Sequence, residues 1–351
     1  MANILYIGDG FSGSTAGQRA DALKRLGHAV EIKDPYKAFE RKLKSLMGAL
    51  NFRTGYALLQ SGMINWLKQV MTDLKAKPDI IWVDMGELMG PECLKVMKSA
   101  NCPIVLYNVD DPTGPRDGNR FRALIKSIPL YDVIAVVRPE TARECEALGG
   151  KNVMHVFRSY DEVMHRPFLS KDEIPEKFKS DVVFIGTWMR YERRDEFMLR
   201  LVEMGVPVSI WGDRWQKSPN FSRLESHWRG NALSGRDYVA AIQGSKICIG
   251  MLSKGNRDLH TTRSLEIPFA GGLFCGERTS EHTYLYKENE EAVFWSDAAE
   301  CAKACLDLLK NNARREAITV AGMRKVRDLQ LGNEDICKKI LTRALAVKTS
   351  V

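Results

Sequence analysis

No stretch of the 351 residues approaches the roughly 20 consecutive apolar residues of a membrane-spanning helix. The chain also lacks a C-x-x-C pair, a D-x-D triplet, an internal repeat and any low-complexity tract. Its eight cysteines are scattered at Cys93, Cys102, Cys145, Cys248, Cys275, Cys301, Cys305 and Cys337, and the closest two sit one helical turn apart. That spacing carries no zinc signature, and a disulfide framework is unusual in a chain of this size. Small apolar residues in a reducing cytosol is the reading that remains. The opening MANILYIGDG is a strand and a turn, with no basic segment ahead of an apolar h-region, so secretion by that route finds no support. A cytoplasmic location is expected, with membrane association as an added option.

What is present is globular. Hydrophobic residues make up 44% and charged residues 27%, which provides a large core and excludes wholesale disorder. The length suggests two domains. Lys and Arg number 52 against 44 acids, and the difference of +8 favours anionic partners without choosing among nucleotides, phospholipid surfaces and nucleic acid. Neither an aromatic-rich basic motif nor a zinc knuckle supports nucleic acid.

Short apolar runs alternate with amphipathic stretches. NILYIG (3–8), HAVEI (28–32), PDIIWVD (78–84), CPIVLYNV (102–109), YDVIAVV (131–137) and VMHVF (153–157) have the β-branched character of buried strands. Helical spacing lies between several of them, as in Gln18 to Leu26 and Pro91 to Lys98. This alternation predicts a parallel sheet covered by helices. The series restarts with SDVVFIGT (180–187), VPVSIWG (206–212), SKICIGML (245–252) and GLFCGE (272–277), separated by stretches such as Glu192 to Met204 and Arg236 to Gln243. Between the two series, the charged, proline-containing run 165–181 is the best linker. The expected division is 1–165, 166–330 and a C-terminal helix over 331–351, within a tail that Gly332–Asn333 can break in two.

Gly8, Gly10 and Gly13 spell G-x-G-x-x-G after the first strand, and Asp34 ends the next one. That is a dinucleotide-binding pattern, in which glycines admit a pyrophosphate and the acid holds a ribose. The helix's inward Leu23 comes ten residues after Gly13, where about seven is usual. Ser14 to Gly17 is therefore expected to extend a polar loop facing a cleft; a nicotinamide or flavin site and a purely structural turn are the alternatives.

In DLHTTRSLEIPFAGGLFCG (258–276), Arg263 and Glu266 are three apart and share a helix face. One can bind phosphate while the other accepts from ribose hydroxyls, since a carboxylate accepts two hydrogen bonds from a diol. This stretch, with FIGTWMRYERRDEFMLRL (184–201) and VSIWGDRW (208–215), resembles the C-terminal half of GT-B glycosyltransferases. The most similar branch is the spore-maturation CgeB-like family, and ILYIGDG, RLGHAVE (25–31), PDIIWVDMGEL (78–88), YNVDDP (107–112) and FRSYDEVMHRP (157–167) extend the resemblance over nearly the whole chain.

The resemblance implies two Rossmann-like domains facing across an interdomain cleft, with a nucleotide-diphosphate sugar held mostly by the second. The acceptor would be a glycan, a lipid-linked molecule, a spore coat component or a protein. No cofactor or metal is implied, and the missing D-x-D triplet agrees. Glu266 matches the ribose-binding glutamate of retaining GT-B enzymes, and Asp258 stands where those enzymes often carry a second glutamate. Gly186 and Thr187, then Arg193 or Arg194, follow the FIGT strand where the donor diphosphate is met, and Lys254 is a further candidate. Asp110 and Asp111 end a strand and are the candidates for acceptor-side base or hydroxyl ligand; the alternative is a turn with a helix cap. Gly8, Gly10, Gly13 and Ser14 would line the cleft.

Each residue has a plainer alternative: Glu266 paired with Arg263 on an exposed helix, Arg193–Arg194 as a solvated helix start. The basic segment Tyr36 to Lys77 carries Phe39, Leu43, Leu46, Met47 and Leu50 at helical spacing. It is either a core-packing helix or a docking face for an anionic membrane or polymeric acceptor. Two other functions compete with glycosyl transfer: a nicotinamide-dependent oxidoreductase and a non-catalytic nucleotide- or polymer-binding protein.

Overall fold

The computed structural model describes residues 1–44 and 46–348, the side chains of Leu46 and Lys348 excepted. The chain divides into two compact units, 1–157 together with Asn333 onward, and Arg158–Gly332.

The first unit is built on β1 (Asn3–Ile7), β2 (Ala29–Lys33), β3 (Ile80–Asp84), β4 (Ile104–Asn108), β5 (Val133–Val136) and β6 (Val153–His155). All are parallel, in the order β2-β1-β3-β4-β5-β6. The central strands IIWVD and IVLYN are buried at every position because helices cover both faces. On one face Leu5, Ile81, Val83 and Leu106 pack against Met63, Leu67, Cys93 and Leu94 from the helices Gln60–Thr72 and Pro91–Lys98. On the other, Tyr6, Trp82 and Tyr107 stack in a row at centroid spacings of 6.4 and 6.0 Å. The helix Asn333–Lys348 contributes buried Ile336, Cys337, Ile340, Leu341 and Ala344 to this unit. Arg343 ties it to the Asn152 side chain, and Arg25 to Glu334.

The second unit carries β7 (Ser180–Ile185), β8 (Val208–Trp211), β9 (Trp228–Gly230), β10 (Ser245–Gly250), β11 (Phe274–Glu277) and β12 (Val293–Trp295). These are again parallel, in the order β9-β8-β7-β10-β11-β12. Strand order reverses between β1 and β3 in the first sheet and between β7 and β10 in the second. In open α/β sheets ligands bind outside the carboxyl ends of strands at such a reversal.

Two expectations are corrected. The division falls at Phe157/Arg158, not 165/166, and residues 165–181 are not a free linker. Ile174 and Phe178 are buried in the second unit, Phe168 N–H donates to Gln243 Oε1 (2.7 Å), and the Arg236 guanidinium lies over the Phe168 ring. The charges of this run face solvent, as does Leu169, while Ile174 and Phe178 anchor it. The segment Ser14–Gly17 is not an added loop either. The helix begins at Thr15, and Ser14 caps it by accepting from Gly17 N–H (3.0 Å). A Cβ on Gly17 would lie 2.1 Å from the Phe11 carbonyl oxygen, so the glycine lets the loop fold onto its own helix.

Candidate functional site

At the β7/β10 reversal, a cavity of about 180 Å³ is lined by Ile185 and Gly186 from the end of β7, and by Met251 and Ser253 beyond β10. Thr261, Thr262 and Arg263 line it from the start of the helix Arg263–Phe269, and Arg158, Arg194 and Asp258 complete the lining. Three guanidinium groups against one carboxylate give the lining an excess of two positive charges. Gly186 is required where it stands: its N–H donates to the Trp211 carbonyl, its carbonyl accepts from Trp215 Nε1, and a Cβ would meet the Phe184 ring at 2.7 Å.

Each arginine is held in place. Arg263 Nε donates to the Ile185 carbonyl (2.7 Å), so its guanidinium lies across the end of β7. Arg194 NH1 donates to the Thr187 carbonyl (2.8 Å). Asp195, beside it, is fixed by Ser218 (2.6 Å) and Asn220 (3.0 Å), which pins the start of the helix Arg194–Glu203. Arg158 pairs with Asp258 (3.3 Å), and its backbone N–H donates to His260 Nε2 (2.8 Å). In a neutral imidazole that places the single ring N–H on Nδ1, which donates to Glu281 Oε2 (2.5 Å). Burial lowers the His260 pKa, and Glu281 opposes it.

A second histidine relay supports the helix that carries Arg263. Ser264 Oγ accepts from Thr261 N–H (3.0 Å) and faces His282 Nε2 (2.7 Å), while His282 Nδ1 faces the Glu277 carbonyl (2.6 Å). The carbonyl can only accept, so Nδ1 carries the proton and Nε2 accepts from the serine. Burial holds the His282 pKa down at about 4.

Arg263 and Glu266 do not pair. Glu266 is only 6% exposed, one turn beyond the cavity lining, and accepts from the Tyr238 hydroxyl at Oε2 (2.7 Å). Burial, then the neighbouring carboxylate, raises the Tyr238 pKa well above its ordinary value and keeps it a donor. Asp161 N–H donates to His165 Nδ1, which leaves the ring proton on Nε2, 3.6 Å from Glu266 Oε1. The carboxylate is thus held by Tyr238 with His165 nearby, and the exposed-helix alternative is excluded by its burial.

The two consecutive arginines part company. The chain turns through a left-handed conformation at Arg193 (φ 52°), and this side chain is exposed and paired with Glu196. Arg193 and Lys254 line a separate surface hollow of about 270 Å³ with Glu192, Glu196 and Arg200. Of the candidates on this unit, Gly186, Arg194, Asp258 and Arg263 therefore meet at one cavity, whereas Arg193 and Lys254 do not reach it. Thr187 takes part through its carbonyl. Arg158, His260, Glu281 and His282 are additions from the structure.

In the first unit, Gly8 lies against Asp84, and a Cβ there would come 2.9 Å from Asp84 Cβ. Asp84 forms a buried bidentate pair with Arg19 (2.7 Å twice), Tyr6 Oη is 2.7 Å away, and Arg19 stacks over the Tyr107 ring. Asp34 accepts from Gly10 N–H (3.1 Å) and caps the following turn at Lys37 N–H (2.9 Å). Gly13 packs beneath the Phe11 ring. Asp34 is thus engaged with the chain itself, and together with Gly10, Phe11, Lys33 and Lys37 it borders a surface hollow of about 640 Å³.

Asp110 and Asp111 separate as well. Asp111 is buried, accepts from Thr141 Oγ1 (3.1 Å) and has the turn at Gly114 closed over it, a structural placement. Asp110 is the more exposed and pairs with Arg120 (3.2 Å), which also holds Glu87 (2.5 Å) and Asp117 (3.3 Å). Burial raises the Glu87 pKa, with Arg120 acting against it. Elsewhere β11 brings Cys275 onto the helical turn of Cys301 and Cys305, and the three buried sulfurs lie within 4.8 Å of one another. The spacing of the cysteines along the chain conceals this cluster.

Residues 193–334 match the family model described as glycosyl transferase-like. No curated protein matches the sequence. Among solved structures, sucrose-phosphate synthase from Thermosynechococcus elongatus is similar at a TM-score of 0.72 and 11% identity, over all of both chains. Anabaena HepE in complex with UDP-glucose gives 0.66 and 11% over 97% of this chain and 99% of that one. The α,α-trehalose 6-phosphate synthase of Burkholderia multivorans gives 0.64 and 12% over all of both. The fold is GT-B.

Proposed function

We propose that this protein is a glycosyltransferase that uses a nucleotide-diphosphate sugar, with the donor held by the second unit. The observation that carries this reading is the arginine-lined cavity at the β7/β10 reversal, inside the unit that contains nearly all of the glycosyl transferase-like match. HepE, of the same fold, is a complex of UDP-glucose, which supports the donor class. Within the family, the ordered motifs from ILYIGDG to RSLEIPFAGG favour the CgeB-like branch.

Transfer needs stabilisation of charge that grows on the leaving diphosphate as the glycosidic bond breaks. Positive groups fixed beforehand do this most effectively, because nothing has to reorient during the reaction. Arg263, Arg194 and Arg158 are such groups, each anchored to a carbonyl, a carboxylate or a relay histidine. Glu266 accepts from Tyr238 at Oε2, which leaves further acceptor positions on the carboxylate for ribose hydroxyls. Asp110 is the acceptor-side residue, as hydroxyl ligand or base. The acceptor is a glycan, lipid-linked or protein hydroxyl. Arginine neutralisation takes the place of a divalent ion.

The test is a thermal-shift panel of nucleotide sugars on the full chain, with and without EDTA. One donor class at about 100 times its Kd stabilises the protein by about 2.7 kcal/mol. The expected shift is unchanged by EDTA. A panel without any hit overturns the reading, and a shift that needs magnesium or manganese overturns its metal-free form.

A further inference from the structure

We propose that the insert between β2 and β3 of the first unit docks onto an anionic phospholipid surface. After Asp34 the chain forms the short helices Glu40–Lys44 and Leu46–Arg53 and the turn Ala57–Leu59. One side of this insert belongs to the core: Phe39 and Leu43 pack against it, Tyr56 and Leu59 are buried, and buried Asn51 reaches the Lys42 carbonyl (3.4 Å). The other side is apolar and open. Met47 is 48%, Leu50 45%, Phe52 40% and Leu58 54% exposed. Four of the fourteen exposed large hydrophobic residues among those described fall in these twelve positions, far more than an even scatter would put there.

The charge is concentrated in the same place. Residues 37–53 hold five basic side chains, Lys37, Arg41, Lys42, Lys44 and Arg53, against Glu40 alone, so this stretch accounts for +4 of the chain's +8. All five are exposed. An apolar face bordered by cations is what an interfacial helix presents to a negatively charged bilayer, where two weak signals act together. A soluble polyanion would use the cations and gain nothing from Met47, Leu50 and Leu58. The insert also touches the proposed acceptor side: the Arg120 guanidinium lies over the Phe52 ring (5.6 Å) and pairs with Asp110. A bilayer held by this face would bring lipid-linked hydroxyls to the first unit. The docking itself does not depend on the glycosyl-transfer reading.

The experiment is co-sedimentation of the full chain with vesicles of phosphatidylcholine alone and of phosphatidylcholine with phosphatidylglycerol, alongside retention on heparin. Binding at least tenfold tighter to the anionic vesicles is expected. Met47→Ser with Leu50→Ser, and separately Arg41→Glu with Lys44→Glu, should each weaken vesicle binding about tenfold or more. These positions are exposed, so an unchanged thermal transition accompanies each loss, and Leu58→Ser serves as an independent apolar change. Equal affinity for the two vesicle types overturns the proposal. So does vesicle and heparin binding that responds to the charge reversals and ignores the apolar substitutions, which would identify a soluble polyanion as partner.

Discussion

His282 shows how much of the candidate site rests on residues buried behind its lining. Its pKa near 4 in the fold, against about 6.5 when unfolded, means that the unfolded chain binds the extra proton first as pH falls. Its contribution is therefore complete above about pH 6.5 and is lost progressively down to about pH 4, at up to about 1.4 kcal/mol per pH unit. His260, shifted in the same direction, adds to the slope. Denaturant midpoints between pH 8 and 4 should show this decline, and His282→Gln should start lower but fall less steeply. Parallel slopes for the two proteins would remove the relay from the account. Arg263 is legible in the sequence from its place three residues before Glu266, and Asp258 and the Arg193–Arg194 pair from the family resemblance. Arg158 is not, since its contribution depends on a histidine 102 positions away, and neither is the separation of Arg193 from Arg194, which a single left-handed residue decides.

Among the elements, the turn from β1 into the helix Thr15–Arg25 is the most sharply specified. Gly17→Ala would force a methyl group against the Phe11 carbonyl at 2.1 Å, and the loop or the helix start must shift. A loss of about 1–3 kcal/mol is expected by chemical denaturation, the range of overpacked positions. Gly27→Ala has open space around it but a left-handed φ of 84°, so its smaller cost of about 1 kcal/mol would come from backbone strain alone. Equal stabilities for wild type and Gly17→Ala would contradict the packing described. Ten of the twelve strands are legible from β-branched apolar runs. The exceptions, β9 and β12, are three residues each and, unlike the equally short β6 within VMHVF, fall outside those runs. The run 165–181 looks like a linker because its charges outnumber Ile174 and Phe178, the two side chains that bury it.

At the scale of the whole molecule, strand–helix alternation and its restart reveal two parallel-sheet units, and strand order locates a reversal in each. Which reversal holds the ligand is a matter of side chains. At β1/β3 the buried Arg19–Asp84 pair has Gly8 against it, and the hollow beside the glycine loop sets Lys33 and Lys37 against Asp34 with no arginine among the described residues of its lining. At β7/β10 three arginines surround an open recess. The central claim is that this recess holds a nucleoside diphosphate, and calorimetric titration of the full chain tests it most directly. Wild type, Arg263→Ala and Glu266→Ala would each be titrated with the nucleoside and the diphosphate of the donor class found by thermal shift. Arg263→Ala should weaken the diphosphate about ten- to a hundredfold and leave the nucleoside nearly unchanged, and Glu266→Ala should weaken both, at about 1.5–3 kcal/mol per lost charged hydrogen bond. Glu266→Gln checks that the loss is not one of folding. Unchanged affinities in both alanine variants, with folding intact, would contradict the assignment of the donor site to the second unit.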